Sequence, residues 1–340
     1  MKVFYGWRIV VAGGALQFLQ SLLLNQAFGV YLAVLVEDRG WSKTAVAGAA
    51  ALKSTEVAIL GPVLGWAVDR FGAQGIVRAG VVTFGIGFML LSRVETLVGF
   101  YAAFVVVALG SSMFANSIVG VAIIHWFEKR RARALSALQF GSAVGGLFVF
   151  LVAASIQAYG WRATAFGSGV IAILIGWPLA RVFRNRPEDH GETVDGLPPA
   201  PRDDTWPAGA PVRHGLSARE ALRTSAFWLI ALGHAFALLV VSAVNVHAVT
   251  HIKEGLGYSL ALATLAFTVV TIGQFAGVVA GWVIGDRFQK RLVAAACMLM
   301  HAAGLLMLTY ATGPVALVVS ALVHGVAWGQ RGPFMQAMRA

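Results

Sequence analysis

Apolar runs of 18 residues or more recur along almost the whole chain, each long enough to cross a hydrocarbon core of about 30 Å as a helix. Backbone N–H and C=O groups find no water in that core, so such runs satisfy them internally, as helices. Hydrophobic residues make up 58% of the sequence and charged residues 12%, against about 25% charged in soluble globular proteins. The sequence therefore specifies an all-α polytopic membrane protein. Its net charge of +11 is no sign of a nucleic-acid partner, because basic residues collect at the cytoplasmic ends of membrane helices. Cys297 is the one cysteine, which excludes a disulfide framework and a thiolate metal site. The chain carries no Walker sequence, zinc-ligand spacing or nucleophile elbow, so neither an enzyme, a cofactor nor ATP-driven transport is expected.

The runs predict ten spans, at 8–36, 44–68, 76–92, 97–126, 135–156, 164–183, 227–250, 260–284, 292–310 and 315–337. The first is too long for a cleaved signal and lacks a small-residue cleavage site, so it reads as a retained helix. With the N-terminus in the cytoplasm, 19 of the 26 Lys and Arg residues lie on the cytoplasmic side. Five lie outside, and Lys53 and Arg331 lie within spans. That asymmetry sets the expected topology: an inner or plasma membrane protein with N-terminus and central loop in the cytoplasm. The loop, 184–226, is rich in Pro, Gly and acidic residues and has no apolar period. It reads as a flexible linker between a bundle at 1–183 and a second at 227–340.

Asp69-Arg70-Phe71 and Asp286-Arg287-Phe288 each end an apolar run, 217 residues apart. The same shift lays the last four spans on the first four. This is the trace of two six-helix repeats. It also sets residue 340 against residue 123, so the second repeat is expected to lack its last two helices in this chain. The second copy of the corner is degraded: Gln289 stands where Gly72 does, and one extra residue separates Gly281 from Asp286. Gly61 with Gly65, and Gly277 with Gly281, give small-residue faces suited to close helix packing in lipid. Asp69 at a helix end is expected to accept from the N–H groups of a neighbouring helix N-terminus, with Arg70 and the basic run 129–133 adding ion pairs.

Gly65-x-x-x-Asp69-Arg70-x-Gly72 after the second span, with the two halves and central loop, resembles the major facilitator superfamily over the whole chain. A narrower resemblance is to its monocarboxylate transporter and oxalate/formate antiporter branch. It rests on Tyr5-Gly6-Trp7, on Trp126-Phe127-Glu128-Lys129-Arg130-Arg131 leading to Gly141-x-x-x-Gly145, on Gly160-Trp161-Arg162, and on Arg186-Pro187-Glu188-Asp189-x-Gly191. The resemblance implies a major facilitator fold, with a cavity lined by spans 1, 4, 7 and 10. It implies a cytoplasmic gate at Gly65, Asp69, Arg70, Gly72, Asp286 and Arg287, the partner of Asp69 being on an eleventh helix.

The polar residues inside spans are the candidates for function. Lys53 and Glu56 lie one turn apart in the second span. Either they form a structural ion pair, or Glu56 takes a proton and frees Lys53 for an anion. His247 and His251 are interfacial histidines or proton carriers, and His234, His301 and His324 read as isolated packed residues. Arg331 precedes Gly332-Pro333, where the helix is weakened, and suits either a forked contact to a carboxylate or a snorkelling role. From the resemblance, Asn25, Gln26, Asn116 and Asn245 become candidates to line the cavity. Carboxylate carriers of the branch place an arginine in the eighth span, but here Gln274 stands there, and the first span has no internal lysine. The expectation is a secondary transporter of a small organic anion such as a monocarboxylate, with H+ as a possible second partner. Export of a neutral or hydrophobic metabolite or drug, and a non-transporting membrane sensor or inactive fragment, are the alternatives.

Overall fold

The computed structural model describes residues 4–197 and 216–338, apart from the side chains of Ala50, Val246, Leu260, Ala261 and Thr264. Helices α1 (Tyr5–Gln20) and α2 (Phe28–Arg39) are joined by a π-helical turn at Ser21–Asn25. Then come α3 (Lys43–Leu91), α4 (Leu97–Met113), α5 (Asn116–Trp126), α6 (Arg131–Leu147) and α7 (Val149–Val182). After a short α8 (Ala218–Ala221) follow α9 (Ser225–Thr250), α10 (Leu260–Ile284), α11 (Lys290–Thr309) and α12 (Pro314–Ala337).

Among the described residues, seven helical stretches are long and apolar enough to cross a membrane: Tyr5–Arg39, Lys43–Leu91, Leu97–Trp126, Arg131–Val182, Ser225–Asn245, Leu265–Ile284 and Lys290–Thr309. Ten spans were expected, and the difference has physical causes. A continuous helix the length of α3, 49 residues, would reach about 70 Å. It instead breaks at Gly72 (φ 76°, ψ 153°), and α7 breaks likewise at Gly160 (φ 79°, ψ 160°). Helix α12 is not among the seven, because His324, Gln330 and Arg331 dilute its apolar run.

The chain forms two compact units. One comprises Met1–Phe127 with Ala137–Glu192, the other Glu128–Ser136 with Thr193–Ala340. In the first, glycines set how closely helices approach. Gly85 of α3 and Gly169 of α7 each face the other's carbonyl, and Gly141 of α6 faces the backbone of Gly14 in α1. At one end Phe4, Tyr5 and Trp7 pack on Trp126 and Phe127, with Trp7 and Phe127 ring centroids 4.9 Å apart. Tyr5 Oη and Trp126 Nε1 donate to the carbonyls of Val182 and Arg184 at 2.9 and 3.1 Å. At the other end Trp161 Nε1 donates to Asp38 at 2.9 Å, and Arg162 lies 3.8 Å from Asp38 and 3.9 Å from Glu95. The Tyr5-Gly6-Trp7, Trp126-Phe127 and Gly160-Trp161-Arg162 motifs are thus fasteners at the two ends of one bundle.

In the second unit α10 and α12 meet backbone to backbone. A Cβ added at Gly325 would strike the Val270 carbonyl, and one at Gly329 the Gln274 carbonyl. Gly277 likewise faces Val326, whereas Gly281 faces Ser136. The matching expectation for Gly61 and Gly65 of α3 is not met: nothing lies within 4 Å of where their Cβ atoms would sit.

The central loop was read as flexible throughout, but its two ends are folded. Single 3-10 turns form at Glu188–His190 and Val194–Gly196, and Ser217 caps α8 in a capping box with Glu220. Asp195, in the left-handed region at φ 59° and 7% exposed, accepts from the N–H groups of Glu128 and Lys129 at 3.1 and 2.7 Å. Composition hides this, because one carboxylate anchors the turn without any apolar period. The remainder of the loop, 198–215, lies outside the described residues.

These contacts predict two results. Gly329→Ala lowers unfolding free energy in detergent by about 1–3 kcal/mol, whereas the same change at Gly61, where space is open, leaves it unchanged or slightly raised. Asp195→Ala raises hydrogen exchange at the Glu128 and Lys129 amides about tenfold, read by mass spectrometry, with little change at the Gly85–Gly169 crossing.

Candidate functional site

Lys53 sits at a half-buried position of α3, and its Nζ donates to Asn25 Oδ1 at 2.7 Å. Asn25 closes the π-helical turn Ser21–Asn25, in which Gln26 N–H reaches back to the Ser21 carbonyl at 3.0 Å. Such wide turns are rare and frequently mark functional sites. Here the turn carries the amide that holds the lysine. Asn25, Lys53 and Ser54 open onto a cleft of about 420 Å³, whose apolar walls are Leu24, Phe28, Val57 and Phe104. The Phe28 and Phe104 rings touch, with centroids 5.4 Å apart.

Glu56 does not pair with Lys53 as the one-turn spacing suggested. Both its carboxyl oxygens are buried and accept no hydrogen bond. The lysine bonds to the neutral Asn25 amide of the π turn that follows α1, and the carboxyl is left unsatisfied. A buried polar atom without a partner is costly and needs an explanation in ligand, proton or water.

The other polar residues of this unit divide by role. Gln17 and Gln20 donate to the Phe114 and Ser111 carbonyls at 2.7 and 2.8 Å, satisfying backbone exposed where α4 ends. They are structural. Asn116 opens α5 just past that break, with Oδ1 buried and unpartnered, and so does Gln139 Oε1 in α6. Gln26 is exposed and lies against Gly146. Of the wall residues, Phe28, Val57 and Phe104 escaped sequence reading because an apolar residue in an apolar span carries no signal.

In the second unit Asn245 and His247 are exposed on α9. His251 Nε2 lies 3.3 Å from the Leu308 carbonyl, which can only accept, so that nitrogen carries the proton. Gln274 is half-buried, and its backbone lies in the α10–α12 crossing. Arg331 is 3% exposed, so the snorkelling reading fails. Its Nη1 donates to His234 Nδ1 at 3.0 Å, which fixes that ring with its lone pair toward the guanidinium. The histidines are not isolated either. His301 and His324, both 2% exposed, face each other Nδ1 to Nδ1 at 3.3 Å, so one ring donates and the other accepts. Cys297 Sγ lies 3.7 Å from Gln330 Oε1 one turn along α11 from His301. Sequence spacing could not show this, because the partners lie on different helices.

The two copies of the repeated corner differ in their contacts. Asp69, Arg70 and Gly65 are exposed, and Arg70 lies over the Trp66 and Phe71 rings at 5.9 and 5.8 Å. Gly72 is held instead by Asn185, whose side chain fills the space a Cβ would need and whose Oδ1 accepts from Gln74 N–H at 3.2 Å. The helix-capping role assigned to Asp69 appears at Asp286, the copy judged degraded. Its two oxygens accept from Ala132 and Arg133 N–H at 3.0 and 3.2 Å, at the start of α6, and Lys290 lies 3.1 Å away. Arg133 in turn stacks over Trp282 at 4.4 Å, while Arg287 is exposed. The extra residue before Asp286 does not spoil the corner, because Gly285 (φ 51°) absorbs it.

The described residues thus combine apolar helices long enough to cross a membrane, close glycine crossings between them, and a cleft bearing one lysine. Among curated proteins, the membrane sensor protein UhpC of Salmonella typhimurium is 27% identical over 260 residues, 72% of this chain and 58% of its own length. The MFS-type transporter pynF of Aspergillus niger is 28% identical over 194 residues, 55% of this chain and 44% of its own length. The fujikurins efflux protein of Gibberella fujikuroi is 32% identical over 132 residues, 34% of this chain and 26% of its own length. This chain spans roughly half the length of the first two of these. The Major Facilitator Superfamily profile matches residues 14–338, and the chain belongs to that superfamily.

Proposed function

We propose that the protein is a secondary transporter of a small organic anion, with Lys53 as the anion's contact and Glu56 as a proton site. It works by alternating access between two repeats, of which ten spans are present here, and is kin to the monocarboxylate and oxalate/formate branch. The observation that carries this reading is the pairing of Lys53. A charge within a membrane span costs about 2.5–3.5 kcal/mol on insertion scales, yet this one is hydrogen-bonded to the Asn25 amide at the cleft, while the Glu56 oxygens accept no hydrogen bond. An entering anion would supply the missing countercharge, and a proton on Glu56 would settle its orphaned oxygens. Arg331, with Asn116, Asn245, His247 and Gln274, is assigned to the pathway on the weaker ground of position in the spans. The Asp286 cap acts as a cytoplasmic latch that favours one conformer.

A second reading, ligand sensing without transport, is favoured by the likeness to UhpC, named a membrane sensor protein. Export of a neutral metabolite is favoured by the likeness to a fungal efflux protein and by Gln274.

The chain in proteoliposomes is expected to accumulate a labelled carboxylate when the outside is acidified. Lys53→Gln should reduce that uptake at least about tenfold, as one lost charge-assisted contact of about 1.4 kcal/mol or more. Glu56→Gln should retain binding but lose acceleration by acid. Unchanged uptake in both variants removes the site from these residues, and saturable binding without uptake favours the sensor. Asp286→Asn is expected to change the transport rate severalfold while leaving the anion's Kd within twofold, read by parallel flux and equilibrium binding.

A further inference from the structure

The cleft beside Lys53 is polar at one place and apolar elsewhere. Asn25, Lys53 and Ser54 form its polar part, and the lysine is bonded to the asparagine at 2.7 Å. One turn from each partner the wall becomes hydrophobic, Phe28 beyond Asn25 on α2 and Val57 beyond Lys53 on α3. Phe104 of α4 closes on Phe28 with centroids 5.4 Å apart, giving a two-ring aromatic wall. The volume, about 420 Å³, falls within the range that holds a drug-sized molecule and exceeds what a two- or three-carbon acid fills.

We propose that the occupant of this cleft is a monoanion with an apolar body, an aromatic or medium-chain carboxylate, rather than a short hydrophilic acid or a polyol phosphate. The inference rests on the reading of the cleft as the anion site. One cation matches one negative charge, and a phosphate dianion would leave a second charge uncompensated at membrane depth. Hydroxyl groups set against Leu24, Phe28, Val57 and Phe104 would give up water without gaining partners. A ring or methylene chain instead loses nothing there, and a planar ring can meet the Phe28–Phe104 pair edge to face. Lys53 fixes the head and the walls select the body.

The test is equilibrium binding to the whole chain in lipid nanodiscs, using labelled acetate, butanoate, hexanoate, octanoate, benzoate and glycerol phosphate. Lys53→Gln is run in parallel, so that partition of each acid into lipid is subtracted. Lys53-dependent affinity is expected to rise up to about fourfold per added methylene until the cleft is filled, with benzoate well above acetate and glycerol phosphate below both. Phe104→Ala should flatten that slope, with a loss of affinity that grows from acetate to octanoate. Val57→Ser, on the same cleft wall and closer in volume to the native residue, should flatten it to a smaller degree and serves if the first variant folds poorly. A flat series, or glycerol phosphate binding tightest, overturns the apolar-body assignment while the Lys53 anion site stands. Absence of Lys53-dependent binding for every acid overturns both together.

Discussion

The crossing of α10 on α12 shows the constraint that the rest of the fold obeys. Lipid tails are as apolar as leucine, so burying a leucine between two membrane helices gains little, and association depends on close contact. Gly325 and Gly329 bring the two backbones together until the Val270 and Gln274 carbonyls occupy the space of the missing side chains. Gly85 with Gly169 and Gly141 with Gly14 do the same in the first unit. Each glycine costs its helix about 0.5–1 kcal/mol relative to alanine, a cost offset by dispersion along the whole crossing. Polar side chains can then be held at depth between helices whose spacing is already set. Gln17 and Gln20 mend the backbone where α4 stops, and His301 and His324 tie α11 to α12.

Much of this was legible because hydropathy and glycine are one-dimensional signals. Apolar runs gave the class, and Gly72 and Gly160 sit where two runs are joined without an intervening loop. The motifs around Tyr5, Trp126 and Trp161, which carry the narrower resemblance, fasten the ends of a bundle. What failed was partner choice. Lys53 and Glu56 are one turn apart in sequence, but a side chain that long chooses among all neighbours, and the π turn offered Asn25. The same reason hid the His301–His324 contact and the Asp195 anchor, each of which joins residues from separate elements. Asp286 was underrated because its corner was compared with Asp69 letter by letter, whereas the geometry needs only a carboxylate aimed at the first turn of α6.

The two carboxylates on the turn after α5 belong together. Asp195 takes the N–H groups of Glu128 and Lys129, and Asp286 takes those of Ala132 and Arg133. A segment dense in arginine and lysine is thus held through four of its backbone N–H groups. This explains why 128–136 groups with Thr193–Ala340 and not with the helix residues that follow it. Arg133 of this segment also stacks on Trp282.

Gly72 carries a consequence for how the repeated corner can change over generations. A side chain there meets two separate obstacles, the left-handed φ of 76° and the Asn185 side chain that fills the vacant space. Removing the asparagine would clear the second and leave the first, so no single compensating change rescues the position. Asp69 and Arg70 are solvent-facing and meet neither obstacle. Within this motif the uncharged residue is therefore fixed twice over, by its backbone angle and by its neighbour.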